Sequence, residues 1–317
     1  MLRLILRKLF LLILLVPLLH ASGFFYALRY QPVHIIYQGN LPSGFTLDNP
    51  GPDFSSTYGE YLQNLRQGDW GKTERTPLTS YVPRFINRSL ILTGFALLTT
   101  LGLGPLLALL AISRRTGRVS SAALTVFTLG TALPGFFLGT LLIVVILLAT
   151  RWGWFAKLPL PVQGYGFDKH LILPVLVLAA RPVLYVAYVT AGLLEHEFQQ
   201  DYIRVAKGKG LRWRQLLWRH ALPNVAAAMI TTLGRSLQLV IGGLVLVETL
   251  FDWRGIGWLM MTVVAGRADA PNYFNAPLLA MLLAIFATLL IITDLLTTLW
   301  AYLADPRLRQ SAAAGRS

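Results

Sequence analysis

Residues 201–224 read DYIRVAKGKGLRWRQLLWRHALPN and carry six of the chain's 28 lysines and arginines: Arg204, Lys207, Lys209, Arg212, Arg214 and Arg219. Apolar sequence flanks them, LILPVLVLAA from Leu171 on one side and VAAAMITTLG from Val225 on the other. A basic island between two stretches of membrane-spanning character is retained on the cytoplasmic side of a bilayer. The fold is therefore expected to be that of a membrane protein with this stretch on its inner face.

The island's own pattern predicts two short helices around a hinge. Gly208 and Gly210 are poor helix formers that tolerate positive φ, which places a break between Lys207 and Leu211. Beyond it, Trp213, Leu216, Leu217 and His220 recur at helical spacing on one face, with Arg212, Gln215 and Arg219 on another. Pro223 then disfavours helical continuation at Leu222. A two-faced basic helix outside the bilayer suits either anionic lipid headgroups or a partner protein.

Working outward, composition supports the membrane assignment. Of 317 residues, 55% are hydrophobic and 13% charged, and the mean hydropathy is +0.58. A soluble domain carries about 25% charged residues. The net charge of +14 lies beside apolar segments, which fits orientation in a bilayer and excludes a nucleic-acid partner as the first reading. With no cysteine, disulfides, thiolate metal sites and cysteine nucleophiles are excluded.

Six spans are expected. An N-terminal transmembrane helix, 1–30, contains an apolar run at 9–28. A cleaved signal peptide is its rival, because Arg3, Arg7 and Lys8 precede the run and small residues occur at Ala21, Ser22 and Gly23. An external loop, 31–88, follows. The main transmembrane domain, 89–305, contains spans at 89–112, 120–150, 171–194, 225–247 and 276–302, and the tail is 306–317. Leu133-Pro134-Gly135 in the middle of the third span marks either a broken helix facing a cavity or a tolerated proline kink. With both termini cytoplasmic, the N-terminus, the 114–118 turn, the central island and the tail place three, three, six and three positive charges on one side. The fold class is thus all-α, integral, with six transmembrane helices and a helical cytoplasmic elbow.

Among the ionisable residues within or at the ends of these spans, Arg181, Arg235, Glu248 and Asp294 are the pathway or interhelical candidates. Intramembrane charge marks a pathway or an interhelical contact. For Arg181 the alternative is snorkelling to an interface. For Asp294 it is a helix–helix contact. No phosphate-cradling Gly-rich motif ending in Lys-Ser/Thr and no Gly-x-Ser-x-Gly elbow occurs, and the five histidines lack metal-ligand spacing. The expectation is a non-enzyme that binds no metal and no cofactor.

The words of the island resemble the cytoplasmic EAA loop of binding-protein-dependent ABC transporter permeases, in which a small-residue pair precedes a glycine and, thirteen residues later, a Leu-Pro. Here Arg204-Val205-Ala206, Gly210 and Leu222-Pro223 occupy those positions. Arg204 and Val205 depart from the letters that name the loop, but Tyr-Ile-Arg-x-Ala-x-x-Lys-Gly-Leu, the Arg-His-Ala-Leu at 219–222 and Asn224 are similar to the dipeptide, oligopeptide and nickel branch. Gly68-Asp-Trp-Gly71 resembles that branch too, as does Glu248-Thr-Leu-Phe-Asp-Trp-Arg-Gly-Ile-Gly257, with Arg254 in place of a proline.

The resemblance implies an importer subunit in the bacterial inner membrane, forming half of a pathway for peptides or a related small solute. It implies as partners a second homologous permease, two ATPase subunits that bind ATP and Mg, an extracytoplasmic solute-binding protein and the lipid bilayer. On that reading the ATPase-coupling residues are Arg204, Val205, Ala206, Gly210, Arg212, Trp213, Leu216, Leu217, Arg219, Leu222 and Pro223, with Trp213, Leu216 and Leu217 offering apolar contact. The alternative is an ion-coupled transporter or channel using Arg181, Arg235, Glu248 and Asp294.

Overall fold

The computed structural model describes residues 2–37, 54–73, 76–154, 160–265 and 274–304. The helices are α1 (Leu2–Tyr37), α2 (Phe54–Arg66), α3 (Leu78–Ala111), α4 (Ser121–Ala132), α5 (Gly135–Arg151), α6 (Ile172–Phe198), α7 (Asp201–Gly208), α8 (Trp213–Leu216), α9 (Leu222–Leu250), α10 (Ile256–Ala265) and α11 (Ala276–Ala304). Among the described residues five stretches are long and apolar enough to cross a membrane: Ile5–Arg29, Leu78–Ala111, Lys169–Phe198, Trp213–Leu250 and Ala276–Leu303. The pair α4 and α5 supplies a sixth when taken as one span. The chain is an all-α integral membrane protein.

The third span is broken. Its halves meet at 103°, because Leu133 and Pro134 are extended, with ψ of 134° and 138°. Proline crowds the residue before it out of the helical region, and the apolar flanks restart a helix at once. Pro182 and Pro105, by contrast, sit inside continuous helices α6 and α3.

The fifth span corrects the expectation that Pro223 ends a helix. α8 runs into α9 through a π-turn, Leu217–Ala221, in which the Leu222 N–H donates to the Leu217 carbonyl. A proline ring clashes with the carbonyl four residues back, here that of Arg219. The wider π-turn moves that carbonyl away, so the chain passes Pro223 without a break.

Other boundaries also differ. α2 and the first turns of α3 lie within the segment read as an external loop, so the connection is partly helical. α10 was not anticipated: its ten residues, IGWLMMTVVA, are apolar but too short to span a bilayer. Parts of that loop, 38–53 and 74–75, and the tail 306–317 lie outside the described residues.

The chain divides into two compact units. The first comprises 91–251 together with 292 onward. There α6 packs against α4, α5 and α9. Glycines permit close crossings: a Cβ at Gly104 would meet Val186 at 2.7 Å, and one at Gly234 would meet Thr297 Cγ2 at 2.7 Å. Gly94 and Gly102, on the same helix as Gly104, meet nothing within 4 Å in this chain.

The second unit comprises 2–90 and 252–291. Its fully buried Trp253 donates from Nε1 to the Arg88 carbonyl at 3.1 Å, and Ser89 Oγ caps α10 by accepting from the Ile256 N–H at 2.8 Å. Phe24 stacks on Tyr61 with centroids 4.9 Å apart, tying α1 to α2.

Candidate functional site: a basic elbow and a membrane cleft

The elbow is a compact piece of the first unit. α7 ends in a two-bond left-handed cap: Leu211 N–H donates to Ala206 at 3.3 Å and Gly210 N–H to Lys207 at 3.0 Å. This requires φ of +84° at Gly210, which is why a glycine stands there, and nothing lies within 4 Å of where its Cβ would be. α8 then starts on Arg212, whose N–H donates to Gln215 Oε1 at 2.8 Å.

The apolar stripe of the elbow turns inward. Leu216 and Leu217 are 3% and 6% exposed and pack with Phe198, Ile203, Ala221 and Val225. Trp213 is half-buried, stacked on Phe198 with centroids 4.3 Å apart. The expectation that Trp213, Leu216 and Leu217 present an apolar face to a partner is therefore corrected, since this chain's own core consumes the stripe. Ala206 and Leu222 are half-buried against the same cluster. Of the residues expected to couple to an ATPase, the exposed ones are Arg204, Val205, Gly210, Arg212, Arg219 and Pro223. Trp218, which the stripe did not predict, is 62% exposed. Its signal was there to find: a tryptophan lying off the apolar face among arginines.

Polar contacts fix the elbow to the membrane helices. Asn224 Nδ2, in the first turn of α9, donates to Glu197 Oε1 at 2.9 Å and to the Tyr202 hydroxyl at 2.8 Å, while Tyr202 donates to Glu197. The phenol is pushed up to about 12, first by partial burial and then by its bond to the Glu197 carboxylate, which favours the protonated donor. Lys207 Nζ donates to the Arg115 carbonyl at 2.9 Å and Gln199 Nε2 to that of Thr116 at 3.3 Å, so the 112–119 turn is bound to the same assembly. Gly117 makes room there, since a Cβ would meet that of Phe198 at 2.8 Å.

The intramembrane charges divide. Arg181 on α6 and Arg235 on α9 line one cleft of 380 Å³ together with Thr131, Tyr185, Gln238 and Leu239. Asp294 on α11 accepts from Gln238 Nε2 at 3.2 Å, which is an interhelical contact. Thr297 reinforces that crossing, its hydroxyl lying 3.1 Å from the Gly234 carbonyl. Glu248 is fully buried near the end of α9 and does not line the cleft.

Six apolar stretches, a basic elbow and a charged cleft describe a transport subunit, and comparison with known proteins agrees. Residues 90–310 match the family described as binding-protein-dependent transport system inner membrane component. The chain belongs to that family. Its members are subunits of ABC importers that work with an ATPase and a binding protein; they are not enzymes and bind no cofactor themselves. The assignment places the chain in the bacterial inner membrane as a multi-pass protein.

Among curated relatives, the probable peptide ABC transporter permease protein y4tP of Sinorhizobium fredii is 29% identical over 259 residues, 78% of each chain. The oligopeptide transport system permease protein AppB of Bacillus subtilis is 28% identical over 79% of each. The di/tripeptide transport system permease protein DppB of Pseudomonas aeruginosa is 30% identical over 80% of each.

Proposed function

We propose that this permease forms half of the pathway of an importer for peptides or a related small solute. It pairs with a second homologous permease, two ATPase subunits that hold ATP and Mg, and an extracytoplasmic solute-binding protein. The elbow, the 114–118 turn and both termini face the cytoplasm, in accord with the positive charge they carry. The exposed side of the elbow, with Val205, Trp218, Arg204, Arg212 and Arg219, docks on an ATPase.

One observation carries this reading. The elbow is hydrogen-bonded through Glu197, Tyr202 and Asn224 to the ends of α6 and α9, and those two helices carry the arginines of the cleft. A displacement imposed on the elbow therefore moves the cleft walls as a body, which is what alternating access driven by partner subunits requires.

The test uses the complete transporter, with uptake of a radiolabelled peptide and retention of the ATPase on purification as readouts. Trp218→Ala is expected to lower both by about tenfold or more, the scale of a buried aromatic anchor at an interface, while Tm is unchanged. Uptake that persists without the ATPase subunits and collapses with the ion gradient would establish the ion-coupled alternative.

A further inference from the structure

The cleft between α4, α6 and α9 has a chemical character that the family assignment does not explain. Two guanidinium groups line it, Arg235 near the middle of α9 and Arg181 about a third of the way along α6. Neither has an ion-pair or hydrogen-bond partner among the described residues. The rest of the lining is Thr131, Tyr185, Gln238 and Leu239, with no carboxylate. The acidic group tied to it, Asp294, is engaged through Gln238 rather than with either arginine. Both side chains are exposed in this chain, so two positive charges at membrane depth stand open to an incoming anion.

A second cavity of 260 Å³ adjoins the first and shares Arg181, Gln238 and Leu239 with it. Its other walls are apolar, from the bend at Pro134, Gly135 and Phe136 and from α6 and α9 at Val177 and Leu246. The arrangement is thus a cationic chamber opening on an apolar one, each of a size suited to part of a small solute.

We propose that Arg181 and Arg235 receive a carboxylate of the transported solute during its passage, while the apolar chamber at the bend takes the solute's apolar side chain. The proposal rests on the reading of this chain as a peptide permease and specifies which end of the peptide the pathway holds. Guanidinium forks pair a carboxylate through two parallel hydrogen bonds, and a pair of them gives that end a fixed orientation. Tyr185, Gln238 and Thr131 supply neutral hydrogen-bonding groups around it.

The absence of native cysteine makes the test direct, because Thr131→Cys places the chain's sole thiol in the cleft. In the assembled transporter in membrane vesicles, the rates of modification by an anionic sulfonatoethyl thiosulfonate and a cationic trimethylammonioethyl thiosulfonate are compared. The anionic reagent is expected to react at least about tenfold faster relative to their rates on a free thiol, as two nearby positive charges require. Arg181→Gln with Arg235→Gln removes the preference, and lysine at both positions keeps it.

Trialanine is expected to slow the anionic reagent several-fold, and trialanine amide, which lacks the carboxylate, is not. Equal reaction with both reagents, or none with either, would overturn the cationic chamber. A preference for the anionic reagent without protection by trialanine would overturn the carboxylate assignment. ATP-dependent uptake on the unlabelled vesicles is scored separately: its absence refutes the importer reading, whereas the thiol rates report on the cleft in either case.

Discussion

Gly234 is one of the residues that set helix spacing in the first unit. Its missing side chain lets α9 approach α11 closely enough for Thr297 to reach the Gly234 carbonyl at 3.1 Å. Gly234→Leu is expected to destabilise the purified complex by about 1–3 kcal/mol, the usual cost of overpacking a tight contact, read as a lowered Tm; adding Thr297→Ala recovers part of the loss. The Glu197, Tyr202 and Asn224 contacts belong to the same scale. Because the Tyr202 phenol is raised, its contribution is present below the unfolded value near 10 and fades only as pH climbs through about 12, so the elbow keeps this lock across the physiological range. That lock was invisible in the sequence, because it joins Glu197 to Asn224 and needs the elbow already folded back.

At the scale of elements, the helical period of the elbow was legible and the direction it faces was not. Trp213, Leu216 and Leu217 share a face as their spacing required, yet the apolar stripe of a helix goes to whatever apolar surface is at hand, and Phe198, Ile203 and Val225 of the same chain supply one. Leu217→Ala is accordingly expected to lower chain stability by about 2–5 kcal/mol, as for other buried leucines. A partner-facing leucine would instead leave Tm unchanged and weaken only ATPase retention, so measuring both separates the two. The break after Lys207 was readable from Gly208 and Gly210. The passage through Pro223 was not, since a π-turn leaves no residue signature and arises from holding Leu216, Leu217 and Ala221 in the core while the helix continues.

Over the whole molecule, composition and charge sufficed for the class: apolar runs located the membrane helices, and the positive clusters set an orientation. In this cysteine-free chain Thr116→Cys is expected to resist an impermeant maleimide added outside intact cells, and Asp69→Cys to react with it; the reverse result would invert the proposed topology. The joint occupation of one cleft by Arg181 and Arg235, 54 positions apart in the sequence, depends on how α6 packs on α9. No one-dimensional pattern records that.

The 103° bend at Leu133 and Pro134 carries one more consequence. Where a helix stops and another starts, several amides and carbonyls lose their in-helix partners, and hydrocarbon supplies none in return. Pro134, Gly135 and Phe136 at the bend line the 260 Å³ cavity, where water can reach the freed groups within an otherwise oily span. A resting transporter has to keep that point sealed from at least one side of the membrane.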